Sequence, residues 1–461
     1  MSLNRRQFLL GSARLGTVFS QKREATPEKP NILLILADDV AAWMLGCYGN
    51  QEIRTPNLDV LARSGTKFLH NFVCTPAGSP SRATLFTGRT PMQHGIQDFL
   101  TSNPTENPPQ GQKAAPDSFS REVMIADLLG RAGYECGYVG KWALGGGQQP
   151  QHEHRFWYTM ADEAAGYENP TVSRDGKLVE EKGYLADLLS AAAVEFLGRQ
   201  SKGKPFFLTV SYLNSHPPYE GHPQKYYDLY ANTGFDTAEW QPAAANALRG
   251  KDFLADTVGN LRKCAASVTA LDDQIPILLR ALGARGLREN TLVVFTSDKG
   301  SLLGRHGLWD SGLASDPINM YEEVVRVPLI WNWIGRVPVE GARPELTSSY
   351  DMLPTLCEVA GVPVPADRKL CGRSYHLLAF GRPLPKKEIW PTTVFGHYRN
   401  TEMARDSRYK VVIRNGGQGP NESYDLGKDP REKINQFDNL QYLNQRERLM
   451  KELADWKQQH S

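Results

Sequence analysis

Cysteine is scarce in this chain. Six cysteines (Cys47, Cys74, Cys136, Cys264, Cys357 and Cys371) are scattered over 461 residues with no C-x-x-C pair. This spacing gives no metal-cluster signature and no dense disulfide framework, so the thiols read as small buried hydrophobes. Long apolar runs are missing too. No stretch approaches the roughly 18 apolar residues that cross a bilayer, and no membrane span is expected. An excess of one charge sign is also absent: the formal net charge of +2 argues against a nucleic-acid partner while leaving room for local basic pockets. There are no internal repeats. What remains, with 23% charged and 40% hydrophobic residues, is an ordinary globular composition. The length calls for one large domain with a smaller one beside it.

The N-terminus carries an address. Arg5 and Arg6 stand directly before Phe8, Leu9 and Leu10, the pattern of a twin-arginine export signal, which places the protein in the periplasm or outside the cell. Residues 1–28 are set aside as signal and linker. From there to about 380 the chain alternates helix-like and strand-like stretches. "NILLILA" is a continuous apolar run, as expected of a strand covered on both faces. "ECGYVG", "PFFLTVS" and "TLVVFTS" each follow a helical pattern, and "VPLIWNW" comes later. This predicts an α/β fold whose mixed, mostly parallel sheet is sandwiched by helices. The Pro-rich stretch 103–118 reads as an exposed loop. Residues 381–461 change texture to short strands, turns and a last amphipathic helix, predicting a small antiparallel α+β unit.

The polar residues of interest follow the predicted strands: Asp38 and Asp39, Lys141, His216, and Asp298. In open α/β sheets the ligand crevice lies beyond the carboxyl ends of the strands. Adjacent aspartates repel unless a cation neutralises them, so Asp38, Asp39 and Asp298 make a candidate site for a hard divalent ion. "CTPAGSPSRATLFTGR" (Cys74–Arg89) supplies a second layer. Ser79 is predicted to cap a helix with Pro80 in its first turn, leaving N–H groups and Arg82 to hold an anion. Lys141 adds a cation and His216 a candidate general acid. His152 and His154 in "QHEHRF" lack the partners of a zinc set and read as a solvent loop.

"PNILLILADDVAAWMLGCYG", "GSPSRATLFTGR", "GKWALG", "SHPPY", "VVFTSDKGSLLGRHGLW" and "YEEVVRVPLIW" resemble, in order and spacing, the blocks of the formylglycine-dependent sulfatases. "SYDMLPTLCEVAGVPVP" and "SYDLGKDPREKINQFDN" resemble that family's later blocks. The resemblance implies an alkaline-phosphatase-like fold, a calcium site and hydrolysis of sulfate esters on carbohydrate or aryl groups. It also implies a nucleophile, formylglycine, made from Cys or Ser in a C/S-x-P-S-R motif.

Here the motif reads Gly78-Ser79-Pro80-Ser81-Arg82, so no formylglycine can form. Three further positions depart from the family pattern. Lys299 stands for the fourth metal ligand, Ala143 for a histidine, and Ser311, aligned less tightly, for a sulfate-binding lysine. An ammonium has no lone pair to give a metal. Lys299 is therefore expected to lie against Asp38, Asp39 and Asp298 as an internal counter-ion, with calcium weak or absent. The sequence predicts a sulfatase-like protein unable to use formylglycine chemistry, binding a small anionic or sulfated glycan ligand. The alternative is an ester hydrolase with a relocated nucleophile (Ser79, Thr75 or Cys74) or with direct attack by water.

Overall fold

A computed structural model describes residues 29–100, 119–162 and 166–460. The twin-arginine stretch and the Pro-rich stretch both lie outside the described residues. Ten strands form the main sheet in the order β10-β2-β9-β8-β1-β7-β3-β4-β5-β6. Its centre is β1 (Asn31–Ala37), β7 (Phe206–Ser211), β8 (Thr291–Ser297) and β3 (Glu135–Gly140). Towards one edge lie β9 (Arg326–Asn332), β2 (Thr66–Phe72) and β10 (Gly341–Ser348). Towards the other lie β4 (His154–Met160), β5 (Thr171–Arg174) and β6 (Lys177–Glu180). β1 pairs parallel with both β7 and β8, whereas β9 runs antiparallel to β8 and to β2. The mixed, mostly parallel α/β sheet is as the sequence predicts.

β1 accounts for its own burial. Leu33 and Ile35 pack into one apolar layer, while Ile32, Leu34 and Leu36 pack into the other, all at 0% exposure. Alternate side chains leave a strand on opposite faces, so an unbroken apolar run is what a strand between two helical layers requires. Each fully buried Leu or Ile contributes about 1.5–3 kcal/mol of transfer free energy. One layer is built by the helices Leu185–Gly198 and Thr257–Asp272, the other by Gly78–Thr87 and Met352–Val359.

The stretch before β8, which reads in the sequence as one helical pattern, is two helices, Thr257–Asp272 and Ile275–Ala284. Pro276, in the first turn of the second, cannot continue the first helix's hydrogen bonding. The "QHEHRF" reading needs correction. His154 is not in a solvent loop: it is buried at the head of β4, and His152 Nδ1 pairs with Asp127 Oδ2 at 2.8 Å. Tyr138, Trp142 and Trp157 surround His154, an aromatic box that these separated residues build only after folding.

The C-terminal segment forms a four-stranded antiparallel sheet, β11 (Val394–Tyr398), β12 (Thr401–Arg405), β13 (Tyr409–Arg414) and β14 (Glu422–Asp425). The helix Leu443–His460 lies on it, burying Leu449, Leu453 and Trp456. Val394, Tyr398 and Met403 of this sheet share a core cluster with Phe72 and Val73 of the main body.

Candidate functional site

Strand register builds the site. Ala37 of β1 pairs with Ser297 of β8, and Ser211 of β7 pairs with both Leu36 of β1 and Gly140 of β3. The residues that follow, Asp38 and Asp39, Asp298 and Lys299, and Lys141, therefore emerge side by side. Gly140 is required for that closeness: its φ is +109°, and a Cβ there would stand 1.9 Å from the Ser211 carbonyl oxygen.

Lys299 Nζ sits in the middle of the carboxylates. It lies 2.8 Å from Asp38 Oδ1, 2.7 Å from Asp39 Oδ1 and 3.7 Å from Asp298 Oδ1. Lys141 Nζ donates to the other Asp38 oxygen at 2.6 Å, and Arg82 Nε donates to Asp298 Oδ2 at 2.8 Å. Three carboxylates thus face three cations, all of them buried. Burial pushes the Asp38 carboxyl up, but Lys141 and Lys299 outweigh it and hold the group well below the ordinary range. Burial opposes the charge on Lys299, and Asp298, Asp38 and Asp39 overcome it, raising the ammonium well above its usual value. Asp39 is pushed up to about 7 by burial, with Asp38 adding to the shift and Lys299 opposing it.

The motif helix differs from its predicted start. It spans Gly78–Thr87 with Ala77 in extended conformation at its N-cap, so Ser79 is not the cap and Pro80 is its third residue. The Ser79 hydroxyl instead accepts from the Leu100 backbone N–H at 2.9 Å. Arg82 does not aim at an open anion pocket either. Besides its Asp298 pair, its Nη1 donates to the Lys141 carbonyl and to Ser211 Oγ, each at 2.9 Å. Thr75 Oγ1 donates to the His397 carbonyl at 3.0 Å, and burial pushes the Cys74 thiol up to about 12. Each of the three candidate replacement nucleophiles is buried, and none lines the cavity described next.

A cavity of about 330 Å³ opens beside Lys299. Its walls are Phe99, Phe253 and Trp309, with Arg249, His216, Asp310 and Ser311 between them. Gly78 adjoins the Phe99 wall: a Cβ placed on Gly78 would meet Phe99 Cε1 at 3.5 Å, an ordinary contact. Position 78 therefore has room for a side chain and holds none. His216 Nδ1 donates to the Pro217 carbonyl at 2.5 Å, which leaves Nε2 as an acceptor. Burial, reinforced by Lys141, lowers this imidazole to about 4. Ser311 lines the cavity, with its backbone N–H on Asp310 Oδ1 at 2.6 Å. Ala143 is buried at φ +54° and does not line the cavity. Phe99, Arg249 and Phe253 escaped the sequence reading. Their only local signal is a turn glycine, Gly250, beside Arg249, and nothing in sequence spacing ties them to Lys299.

Residues 30–362 match the profile of the family described as Sulfatase. The chain belongs to the sulfatase family. A second profile, N-sulphoglucosamine sulphohydrolase, C-terminal, matches residues 304–459. The chain is 26% identical to N-acetylglucosamine-6-O-sulfatase of Bacteroides thetaiotaomicron over 98% of its own length and 90% of that protein. It is 30% identical to an ulvan-active sulfatase of Formosa agariphila over 75% of its length and 64% of that protein. Its fold matches a protein solved with its substrate, D-glucosamine-2-N,6-O-disulfate, at a TM-score of 0.77 and 24% identity, covering 94% of this chain and 98% of that one.

Sulfatases generally use a divalent metal. The residues of this sulfatase do not fit one. The position between the aspartates is filled by an ammonium that donates and cannot ligate, and the three carboxylates are already matched by three cations. A divalent ion entering beside Lys299 would meet a like charge in a low-dielectric pocket.

Proposed function

We propose that this sulfatase-family protein binds a sulfated carbohydrate without hydrolysing its ester by the formylglycine route, and does so without calcium. The observation that carries the reading is Lys299 Nζ among Asp38, Asp39 and Asp298. Gly78 agrees with it, since the residue offers no atom to attack sulfur. Without nucleophile and metal, the surviving groups position and neutralise a ligand.

The cavity's chemistry suits that ligand. Phe99, Phe253 and Trp309 offer apolar ring surface to the C–H faces of a sugar. Arg249, with its guanidinium 5.4 Å from the Phe99 ring centroid, offers positive charge to a sulfate. The relatives that act on 6-sulfated or disulfated glucosamine make such sugars the first ligands to test. Calorimetric titration of the purified protein with N-acetylglucosamine-6-sulfate is expected to show binding that Arg249→Ser weakens. Assays with that sugar and with an aryl sulfate are expected to release no sulfate above the uncatalysed rate. Release that disappears on substitution of Arg82 or His216 would overturn the reading.

A further inference from the structure

A second cavity, of about 610 Å³, lies between the main body and the C-terminal sheet and shares no lining residue with the first. Five arginines line it: Arg305 after β8, Arg326 at the head of β9, Arg405 on β12, Arg408 in the following turn, and Arg431 beyond β14. Only two carboxylates, Glu322 and Glu323, share the lining.

Tracing each guanidinium to its partner leaves one over. Arg408 is held by both oxygens of Asp425 at 2.9 Å, and Arg431 reaches Glu239 at 3.4 Å. Arg405 pairs with Glu322, which Lys410 also approaches at 3.4 Å. Arg305 lies 3.5 Å from Glu323, which is shared with His306 and Arg431. Among the described residues Arg326 makes no ion pair with a carboxylate, and Glu322 acts on it only at longer range. Its Nε donates to the Leu69 carbonyl at 3.0 Å, and among the described residues its two Nη groups make no hydrogen bond or ion pair. Arg326 lines the cavity, where burial lowers it against the pull of Glu322 and lowers Arg305 to about 10 against that of Glu323. Beside them His70 is lowered to about 4 by burial and by Arg326, and its buried Nδ1 has no hydrogen-bond partner among the described residues.

We propose that this cavity binds a small tetrahedral oxyanion, sulfate or phosphate, on the open fork of Arg326 with the neighbouring guanidiniums around it. The donors come from separate chain segments and so approach from several directions. A planar carboxylate is satisfied by one fork, whereas an anion with four oxygens uses several. Because its guanidiniums come from both the main body and the C-terminal segment, the anion would also tie the two together. The inference is independent of the proposed function, since Arg326 touches nothing in the first cavity.

The test is calorimetric titration of the full chain with sodium sulfate and, separately, sodium phosphate, in dilute chloride buffer. Arg326→Met is expected to weaken binding of the preferred anion by about tenfold or more, the value of a charge-assisted fork. Arg249→Ser, in the other cavity, is expected to leave in place the component of that isotherm that Arg326→Met removes. Whichever salt binds more tightly identifies the anion. Equal affinity in wild type and Arg326→Met, or no saturable binding of either salt at millimolar concentration, would overturn the proposal. Should Arg326→Met fail to fold, wild-type crystals soaked in selenate decide it. An anomalous peak within hydrogen-bond reach of Arg326 supports the site, and an empty cavity refutes it.

Discussion

Lys299 changes the nature of its site through a single side chain. A buried lysine that compensates carboxylates is strongly destabilising to remove, because the partners are left charged and dry; about 3–5 kcal/mol is typical. Lys299→Asn, which trades the ammonium for an amide oxygen able to ligate, is therefore expected to lower the melting temperature in chelator. It is also expected to regain stability with added calcium. The wild-type melting temperature is expected not to move with either chelator or calcium; a calcium-dependent rise in wild type would contradict the counter-ion role. Gly78 makes the complementary case. With 3.5 Å between the would-be Cβ and Phe99, Gly78→Ser is expected to fold with nearly unchanged stability. Gly78→Cys alone is expected to yield no aryl-sulfate hydrolysis, because Lys299 still occupies the cation position. Measurable turnover from that one change would contradict the counter-ion role of Lys299.

At the scale of elements, periodicity located the central strands, and it fell short where tertiary contacts decide. β1, β3, β7, β8 and β9 are where unbroken apolar runs end in polar residues. β4 was missed because its first residue is a histidine made apolar by its surroundings. Its Nδ1 donates to the Gln151 carbonyl at 2.9 Å, and burial lowers the imidazole from its ordinary 6.5 to about 4. Between those values the unfolded chain takes up a proton that the folded chain refuses. This contribution to stability is thus complete above 6.5 and lost as the pH falls towards 4, by about 3 kcal/mol at most. Urea unfolding is expected to show His154→Gln less sensitive than wild type to acidification across that window; an unchanged pH slope would refute it. The last helix was legible because its apolar stripe is simple. Leu453, buried with Leu449 and Trp456, is expected to cost about 2–4 kcal/mol when replaced by Ala, read from the denaturation midpoint.

Across the whole molecule, the site is a product of sheet register. Asp38, Asp39, Lys141 and Asp298 were found from sequence because parallel strands deliver their following residues to one edge, whatever lies between them in the chain, and Lys299 was found through the family resemblance. Arg82 was found too, but its direction was misjudged. A sequence shows that an arginine is one turn into a helix, not that a buried aspartate waits across from it. The walls of the first cavity stayed hidden for a related reason: Phe99, Arg249 and Phe253 sit in loops, where no period links position to direction. The second cavity was less legible still, since its arginines are each unremarkable charged residues until the C-terminal sheet docks.

A metal-dependent site is assembled twice, once by folding and again by capture of an ion that can leave, be chelated or be outcompeted. The cation in this pocket arrives with translation. It has no off-rate and cannot be exchanged for a rival ion, so the pocket is complete as soon as the chain folds. The same permanence sets its limit: an ammonium fixed among carboxylates cannot be swapped for a stronger Lewis acid.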